Sequence, residues 1–225
     1  MKKNLSTKWF LFTENDFSIG NNMSEKSLKN LMAGVGVVDS LGDFNRQINH
    51  IAFDSRKVGE GGLFVAIPGE KFNGEIFIKD ALGKGAVAII TQSPLSSLAS
   101  ILIDSKNITA FCVNDSREAL SKISANFFNQ PSEQLSLTGI TGTNGKTTLT
   151  YILEALSKAA GRTAGIIGTI DCHYGKTIIP AEMTTPESLD LNQHLRQMAD
   201  DGILDCFLEV SSHALARKRV YGMSF

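Results

Sequence analysis

The stretch Gly139-Ile-Thr-Gly-Thr-Asn-Gly-Lys-Thr-Thr148 decides the architecture of the second half of this chain. It follows an apolar run, Leu135 to Ile140, and opens a helical pattern from Thr147 to Ala160 that Gly161 is placed to cap. Strand, glycine-rich turn and helix in that order make a phosphate-binding loop. Glycines let the backbone turn tightly and point successive N–H groups inward, and a helix N-terminus adds partial positive charge. Lys146 supplies a mobile full charge and Thr147 a hydroxyl suited to Mg²⁺. Every component suits a nucleoside triphosphate. The glycines fall at 139, 142 and 145, and Ile140 stands where the G-x-x-x-x-G-K-[ST] pattern has its first glycine. The competing reading, a glycine-rich surface turn beside a lysine, does not account for the strand before it and the helix after it.

Downstream, apolar runs predict strands over Thr163 to Ile170 and Leu204 to Val210. Between them a helix is expected from Pro186 to Asp201, with Pro186 in its first turn. Alternation of this kind predicts a parallel sheet with helices on its faces. Three strands with two crossovers make about half of a nucleotide-binding domain, so the expectation is a truncated domain. Glu209 closes the last apolar run, at the carboxyl end of a strand, where ligands of parallel sheets gather. There it could hold Mg²⁺; as a helix cap or surface acid it would do neither chemistry nor binding. The segment Glu209-Val-Ser-Ser-His-Ala-Leu-Ala-Arg-Lys-Arg-Val220 then brings two hydroxyls, an imidazole and three cations. Arg217 and Arg219 could grip a phosphate or carboxylate in fork geometry, or simply form a solvated basic helix end. A lone His213 reads as structural rather than catalytic.

Upstream, short runs at Ile51 to Phe53, Leu63 to Ile67 and Ala86 to Thr91 read as strands. A helix is expected from Phe77 to Leu82, with Gly83 and Gly85 able to end it. A further strand at Phe111 leads to a helix starting near Asp115 or Ser116, whose Leu120, Ile123, Phe127 and Phe128 recur every three or four residues. This is a compact α/β unit of its own, and Pro131 marks a linker after it. The expected organisation is a small N-terminal α/β domain over 23–133 and the truncated parallel-sheet P-loop domain over 134–225. Residues 1–22 lack sustained periodicity and read as a disordered extension. Met23 is the more natural beginning, because Leu28, Leu31 and Met32 after it have helical spacing.

Composition bounds the rest. The 225 residues carry a formal net charge of −1, which gives no electrostatic footprint for nucleic acid or an anionic membrane. Cys112, Cys172 and Cys206 are odd in number and widely spaced, which fits a reducing cytosol and small apolar roles better than disulfides or zinc. No apolar run approaches the ~20 residues that span a bilayer. Lys2-Lys3 before Trp9-Phe-Leu-Phe12 mimics a secretory leader, but Lys8, Glu14 and Asp16 interrupt it and no small-residue cleavage signal follows.

Taken together, Thr138-Gly-Ile-Thr-Gly-Thr-Asn-Gly-Lys-Thr-Thr148, Thr184-Thr-Pro186 and Glu209-Val-Ser-Ser-His213 stand in the order seen in Mur ligases. Asp54-Ser-Arg-Lys-Val-Gly-Glu-Gly-Gly-Leu-Phe-Val-Ala-Ile-Pro-Gly69, with Asn73-Gly74 and Gly85-Ala86, resembles the UDP-binding N-terminal domain of that family. The resemblance covers about residues 24–225, and its second and third motifs favour the branch that adds the third residue of the peptide. It implies a cytoplasmic, ATP- and Mg²⁺-dependent ligase of peptidoglycan precursor synthesis, monomeric when complete. That enzyme joins meso-diaminopimelate or L-lysine, with diaminopimelate the commoner choice, to UDP-N-acetylmuramoyl-L-alanyl-D-glutamate.

By resemblance, Gly142, Thr143, Asn144, Gly145, Lys146, Thr147 and Thr148 bind ATP, Thr147 and Glu209 serve Mg²⁺, and Lys146 and Glu209 are the catalytic pair. Phe53, Ser55, Glu70, Lys71 and Phe72 approach the uridine diphosphate. Thr184, Thr185, Ser211, Arg217 and Arg219 hold the muramoyl-dipeptide. The family's modified lysine and its amino-acid-selecting domain have no counterpart in the sequence, so residues 1–225 alone are expected not to complete ligation. The alternatives are another ligase of the superfamily, acting on a later muramoyl peptide or a folate, and a non-catalytic UDP-sugar or nucleotide-binding module.

Overall fold

The computed structural model describes residues 25–69, 72–104 and 107–225. The expected extension over 1–22 and the proposed start at Met23 lie outside the described residues, as do Glu70 and Lys71.

The N-terminal half begins with β1 (Lys26–Ser27), the single-turn helix α1 (Leu28–Leu31), β2 (Val37–Leu41) and β3 (Gln47–Ile48). It continues with β4 (His50–Ala52), β5 (Gly62–Val65), α2 (Ile78–Gly83), β6 (Ala86–Thr91), α3 (Ala99–Asp104), β7 (Thr109–Val113) and α4 (Ser116–Phe127). β1 and β3 form a small antiparallel pair, and the main sheet has the order β2-β7-β6-β5-β4. Its β4 to β7 run parallel, while β2 is an antiparallel edge. β2 is exposed along its length, whereas both faces of β5 to β7 are buried, and the two-residue period of a strand sorts their side chains between the faces. Leu63, Val65, Ala88, Ile90, Phe111 and Val113 meet Leu120, Ile123 and Phe127 of α4 on one face. Phe64, Ala66, Ile89, Ala110 and Cys112 meet Ile78 and Ala81 of α2 on the other. Each large side chain so buried contributes about 1.5–3 kcal/mol over exposure. α4 starts where the sequence places it, because the Asp115 carboxylate accepts the Arg117 and Glu118 amides. α2 runs one residue past the expected end, to Gly83, and Gly85 takes the left-handed φ of +102° that follows it.

A 3-10 turn, Pro131–Glu133, leads to the second half. There β8 (Ser136–Ile140), α5 (Lys146–Ala159), β9 (Ala164–Ile167), β10 (Asp171–Tyr174) and β11 (Thr177–Pro180) are followed by α6 (Ser188–Asp200), β12 (Asp205–Glu209) and α7 (Ser212–Ala216). The sheet order is β11-β10-β9-β12-β8. β9, β12 and β8 are parallel, whereas β10 and β11 form an antiparallel hairpin on β9. Three expectations are corrected. The strand expected over Thr163 to Ile170 ends at Ile167, and the sheet is mixed rather than parallel because residues 171–180 turn back across Gly175 at φ +55°. Pro186 lies outside its helix, since Glu187 is the extended N-cap at φ −65°, ψ 155°. α6 packs with Leu191, Leu195 and Met198 on Leu137, Cys206 and Leu208, and α5 covers Ile140, Ile166 and Phe207 on the opposite face.

The two halves meet where α4 lies against α6, with Leu189 packing into the N-terminal core. Lys218 pairs with Asp115 at 3.0 Å and with Glu118, and Ser121 Oγ donates to Tyr221 O at 2.8 Å. The three cysteines are free and buried, and burial pushes the Cys172 thiol up to about 12.

Candidate active site

β8 delivers the chain to the loop at Ile140, and residues 141–145 stand exposed ahead of α5. Gly142 at φ +150° and Gly145 at φ +80° occupy backbone conformations that side chains disfavour, which is why the loop needs glycine at these two places. Gly145 is the N-cap of α5 and brings no side chain to cap the helix, so first-turn N–H groups face the loop with the positive end of the dipole. Lys146 Nζ donates to Gly142 O at 2.7 Å and thus lies across the loop. Thr147, Thr148, Tyr151, Ile152 and Ala155 of α5 line, with Ile170, a shallow open hollow of about 430 Å³ beside it.

Glu209 ends β12 directly opposite Ile140 of β8, so its carboxylate leaves the sheet at the level where the loop begins. It is only 1% exposed. Oε1 accepts the Thr169 amide at 3.0 Å and Oε2 the Thr169 hydroxyl at 3.1 Å. This rules out a surface acid, and the helix-cap alternative fails too, because the N-cap of α7 is Ser211, whose hydroxyl accepts the Ala214 amide at 3.1 Å. Thr184 Oγ1 is hydrogen-bonded to Thr169 Oγ1 at 3.1 Å. Thr185, fully buried, donates from Oγ1 to Glu209 O at 2.7 Å and accepts the Ser211 amide at 3.1 Å.

Arg219 is the opposite of a solvated helix end. Its side chain is 11% exposed, and it donates to Thr185 O at 2.8 Å and to Glu187 Oε1 at 3.0 Å from Nε. Arg217 is half-buried and His213 exposed on the short α7. The fold therefore gathers Glu209, Thr184, Thr185, Ser211 and Arg219 into one hydrogen-bonded network at the carboxyl ends of parallel strands, beside the loop that carries Lys146 and Thr147. Sequence reasoning missed Gly168, Thr169, Glu187 and Arg117 in this network. Gly168 and Thr169 directly follow the apolar run of β9, and that position at a strand's carboxyl end was the available signal.

The other expected ligand residues sit apart, in the N-terminal half. Phe53 follows β4 and packs partly on the core there. Ser55 is buried in a 3-10 turn capped by the Asp54 side chain, and its carbonyl accepts Lys84 Nζ at 3.1 Å. The Arg56 guanidinium beside Asp54 holds that carboxyl below its ordinary range. Phe72 is 62% exposed and meets Phe77 edge-on at 6.4 Å. Phe53 and Ser55 lie past the carboxyl end of β4 and Phe72 past that of β5, the edge of this second sheet where ligands also collect. Among the described residues no group of three or more His, Cys, Asp or Glu could cage a metal ion. A single buried carboxylate near a hydroxyl fits Mg²⁺, which uses one or two protein oxygens and completes its shell with water and phosphate.

Both halves of the chain resemble known proteins. Residues 47–128 match the Mur ligase family catalytic domain, and residues 140–225 match the Mur ligase middle domain. Over 198 residues the chain is 39% identical to the UDP-N-acetylmuramoyl-L-alanyl-D-glutamate--2,6-diaminopimelate ligase of Clostridium perfringens, covering 88% of this chain and 40% of that protein. The Clostridium botulinum protein of the same name is 42% identical over 180 residues, covering 80% and 36%. A solved structure of a ligase of that name superposes with a TM-score of 0.68 at 24% identity, over 88% of this chain and 38% of the other. The UDP-N-acetylmuramoylalanyl-D-glutamyl-2,6-diaminopimelate--D-alanyl-D-alanyl ligase of Acinetobacter baumannii superposes at 0.53 and 19% identity, over 84% and 37%. The chain thus spans about 40% of the length of the curated relatives it matches. With two matched domains in the right order, a glycine loop that turns as the sequence predicts and a buried carboxylate beside it, the chain belongs to the Mur ligase family, whose N-terminal and middle domains it carries.

Proposed function

We propose that this chain supplies the nucleotide-sugar-binding and phosphoryl-transfer half of a cytoplasmic, ATP-dependent ligase that adds diaminopimelate to UDP-N-acetylmuramoyl-L-alanyl-D-glutamate. The observation that carries the reading is the hydrogen-bonded chain from Thr184 through Thr169 to Glu209, standing beside the phosphate loop. The names of the relatives support the substrate and the amino acid.

In such a reaction a carboxylate oxygen of the dipeptide attacks the γ-phosphorus of ATP and the bond to ADP breaks. The amine then attacks the acyl carbon of the resulting acyl phosphate, forming the amide bond as the carbon–oxygen bond to phosphate breaks, and inorganic phosphate and the amine's proton are released. The difficulty of the first step is electrostatic, because both reactants are anions. Lys146 exchanges its contact with Gly142 O for phosphate oxygens, and the N–H groups of 142–148 supply fixed dipoles that need no reorganisation. Thr147 and Glu209 would hold Mg²⁺, which offsets charge on the transferring phosphoryl group. Thr184, Thr185, Ser211, Arg217 and Arg219 orient the peptide carboxylate. Phe53, Ser55, Glu70, Lys71 and Phe72 receive the uridine diphosphate.

The test is calorimetric titration of the 225-residue chain with MgATP and, separately, with UDP-N-acetylmuramoyl-L-alanyl-D-glutamate. Saturable binding of both is expected, with UDP-N-acetylglucosamine binding more weakly because it lacks the peptide. Failure to bind the muramoyl-dipeptide, or no preference for it over UDP-N-acetylglucosamine, overturns the reading.

A further inference from the structure

Arg117, in the first turn of α4, touches both halves of the molecule. Its Nη2 donates to Pro68 O at 2.7 Å, and its Nη1 lies 3.3 Å from Glu187 Oε2. Pro68 follows β5 and forms an antiparallel bridge with Asn73, and the neighbouring Gly69 amide donates to Phe72 O at 2.9 Å. Glu187 closes the segment Thr184-Thr-Pro-Glu187 and is shared with Arg219, which in turn holds Thr185 O. The Arg117 and Glu187 side chains are 11% and 10% exposed, so their contact is little screened by solvent.

We propose that Arg117 is a positioning residue that fixes the spacing between these two segments, and so registers two subsites that receive opposite ends of one elongated ligand. The inference rests on the functional reading above, in which the turn after β5 meets the uridine diphosphate and Thr184–Glu187 the muramoyl-dipeptide. A ligand held at both ends gains affinity by the effective concentration of its second end at the second subsite, and that gain depends on the two being correctly spaced. A planar fork suits the task, since one guanidinium can serve a carbonyl and a carboxylate in different directions at once.

Arg117 is not what docks the halves together. Lys218 ties the start of α4 to the C-terminal turn through Asp115 and Glu118, Ser121 reaches Tyr221 O, and Leu189 is seated in the N-terminal core. Replacing Arg117 should therefore loosen the spacing and leave both domains folded.

The readout is the ratio of two dissociation constants on the 225-residue chain, for UDP alone and for UDP-N-acetylmuramoyl-L-alanyl-D-glutamate, measured with the MgATP affinity and the melting temperature. Arg117→Ala should reduce that ratio about tenfold or more, while the affinities for UDP and MgATP stay within about twofold. Arg117→Lys, which keeps the charge and loses the fork, should fall between. Glu187→Gln should reproduce the reduced ratio from the other side of the contact. A purely structural residue would lower UDP affinity and the ratio alike, or only the melting temperature, and either result overturns the proposal. An unchanged ratio in Arg117→Ala overturns it while leaving the functional reading intact. Absence of muramoyl-dipeptide binding by the unsubstituted chain overturns both.

Discussion

Gly168 and Glu209 approach so closely that a Cβ built on Gly168 would lie 2.4 Å from Glu209 Oε1 and 3.0 Å from its Cδ. The end of β9 must therefore be bare for the carboxylate to reach the Thr169 amide. Gly168→Ala is expected to displace Glu209, lowering stability by about 1–3 kcal/mol through overpacking and weakening MgATP binding by about tenfold or more. Adding Glu209→Asp, which shortens the acid, should recover part of the stability. Titration and melting of the single and double variants check this, and wild-type MgATP affinity in Gly168→Ala would contradict the proposed metal role of Glu209.

The division of labour between the two domains predicts opposite responses to two substitutions. On the proposed reading, Lys146→Ala removes a charged contact to phosphate, commonly worth about 1.5–3 kcal/mol, so MgATP affinity should fall about 10- to 100-fold with UDP binding unchanged. Ser55→Ala should weaken UDP and its muramoyl-dipeptide and leave MgATP untouched. Crossed outcomes in a pair of titrations would show the assignment to be wrong.

Asp205 anchors the amino end of β12, accepting Arg162 through Nε at 2.7 Å and Nη2 at 2.6 Å, and the Ser157 hydroxyl at 2.5 Å. The Arg162 guanidinium, helped by Ser157 and opposed by burial, holds the carboxyl below its ordinary range. A carboxyl depressed in the folded state contributes stability that is present above the unfolded value, about 3.9, and lost as pH falls through the folded value. Asp205→Asn should cost about 1–2 kcal/mol near pH 7, at the low end for charged hydrogen bonds because Arg162 is half in solvent. The cost should shrink below about pH 4. Melting temperatures of the two proteins from pH 3 to 8 give the comparison, and a pH-independent difference would argue against the linkage.

His173 stands between two acids, with Nδ1 2.6 Å from Asp171 Oδ1 and Nε2 2.8 Å from Glu154 Oε1. It joins α5, the helix that begins at the glycine-rich loop, to the hairpin. His173→Ala would leave the buried Glu154 facing Asp171 with Lys158 as its remaining partner, at a cost of about 2–4 kcal/mol. Glu154→Gln in the same chain should return part of that loss. Denaturant unfolding of the double-mutant cycle measures the coupling, and strict additivity would mean that the two sites act independently.

Much of the fold was legible because its signals are local. Ala86 to Thr91 is a strand as its apolar run predicts, and α4 starts at the Asp115 cap. Gly142 and Gly145 sit at positive φ in the loop that the glycine spacing announced. The hairpin over 171–180 escaped notice because its strands are only four residues each, too short for the alternation of buried and exposed positions along them to stand out.

By itself the sequence determined where the chain turns and that a glycine-rich loop joins β8 to α5; each depends on neighbours a few residues apart. Tertiary structure decided what Glu209, Arg219 and Arg117 are. Glu209 is a buried carboxylate because Thr169, forty residues earlier, lies just past the end of the adjacent parallel strand β9 and bonds it. Arg219 and Arg117 are paired cations because folding brings Glu187 between them, thirty-two and seventy residues away. The worth of a charged group depends on the dielectric around it and on the partner it meets, and both are properties of the packed chain.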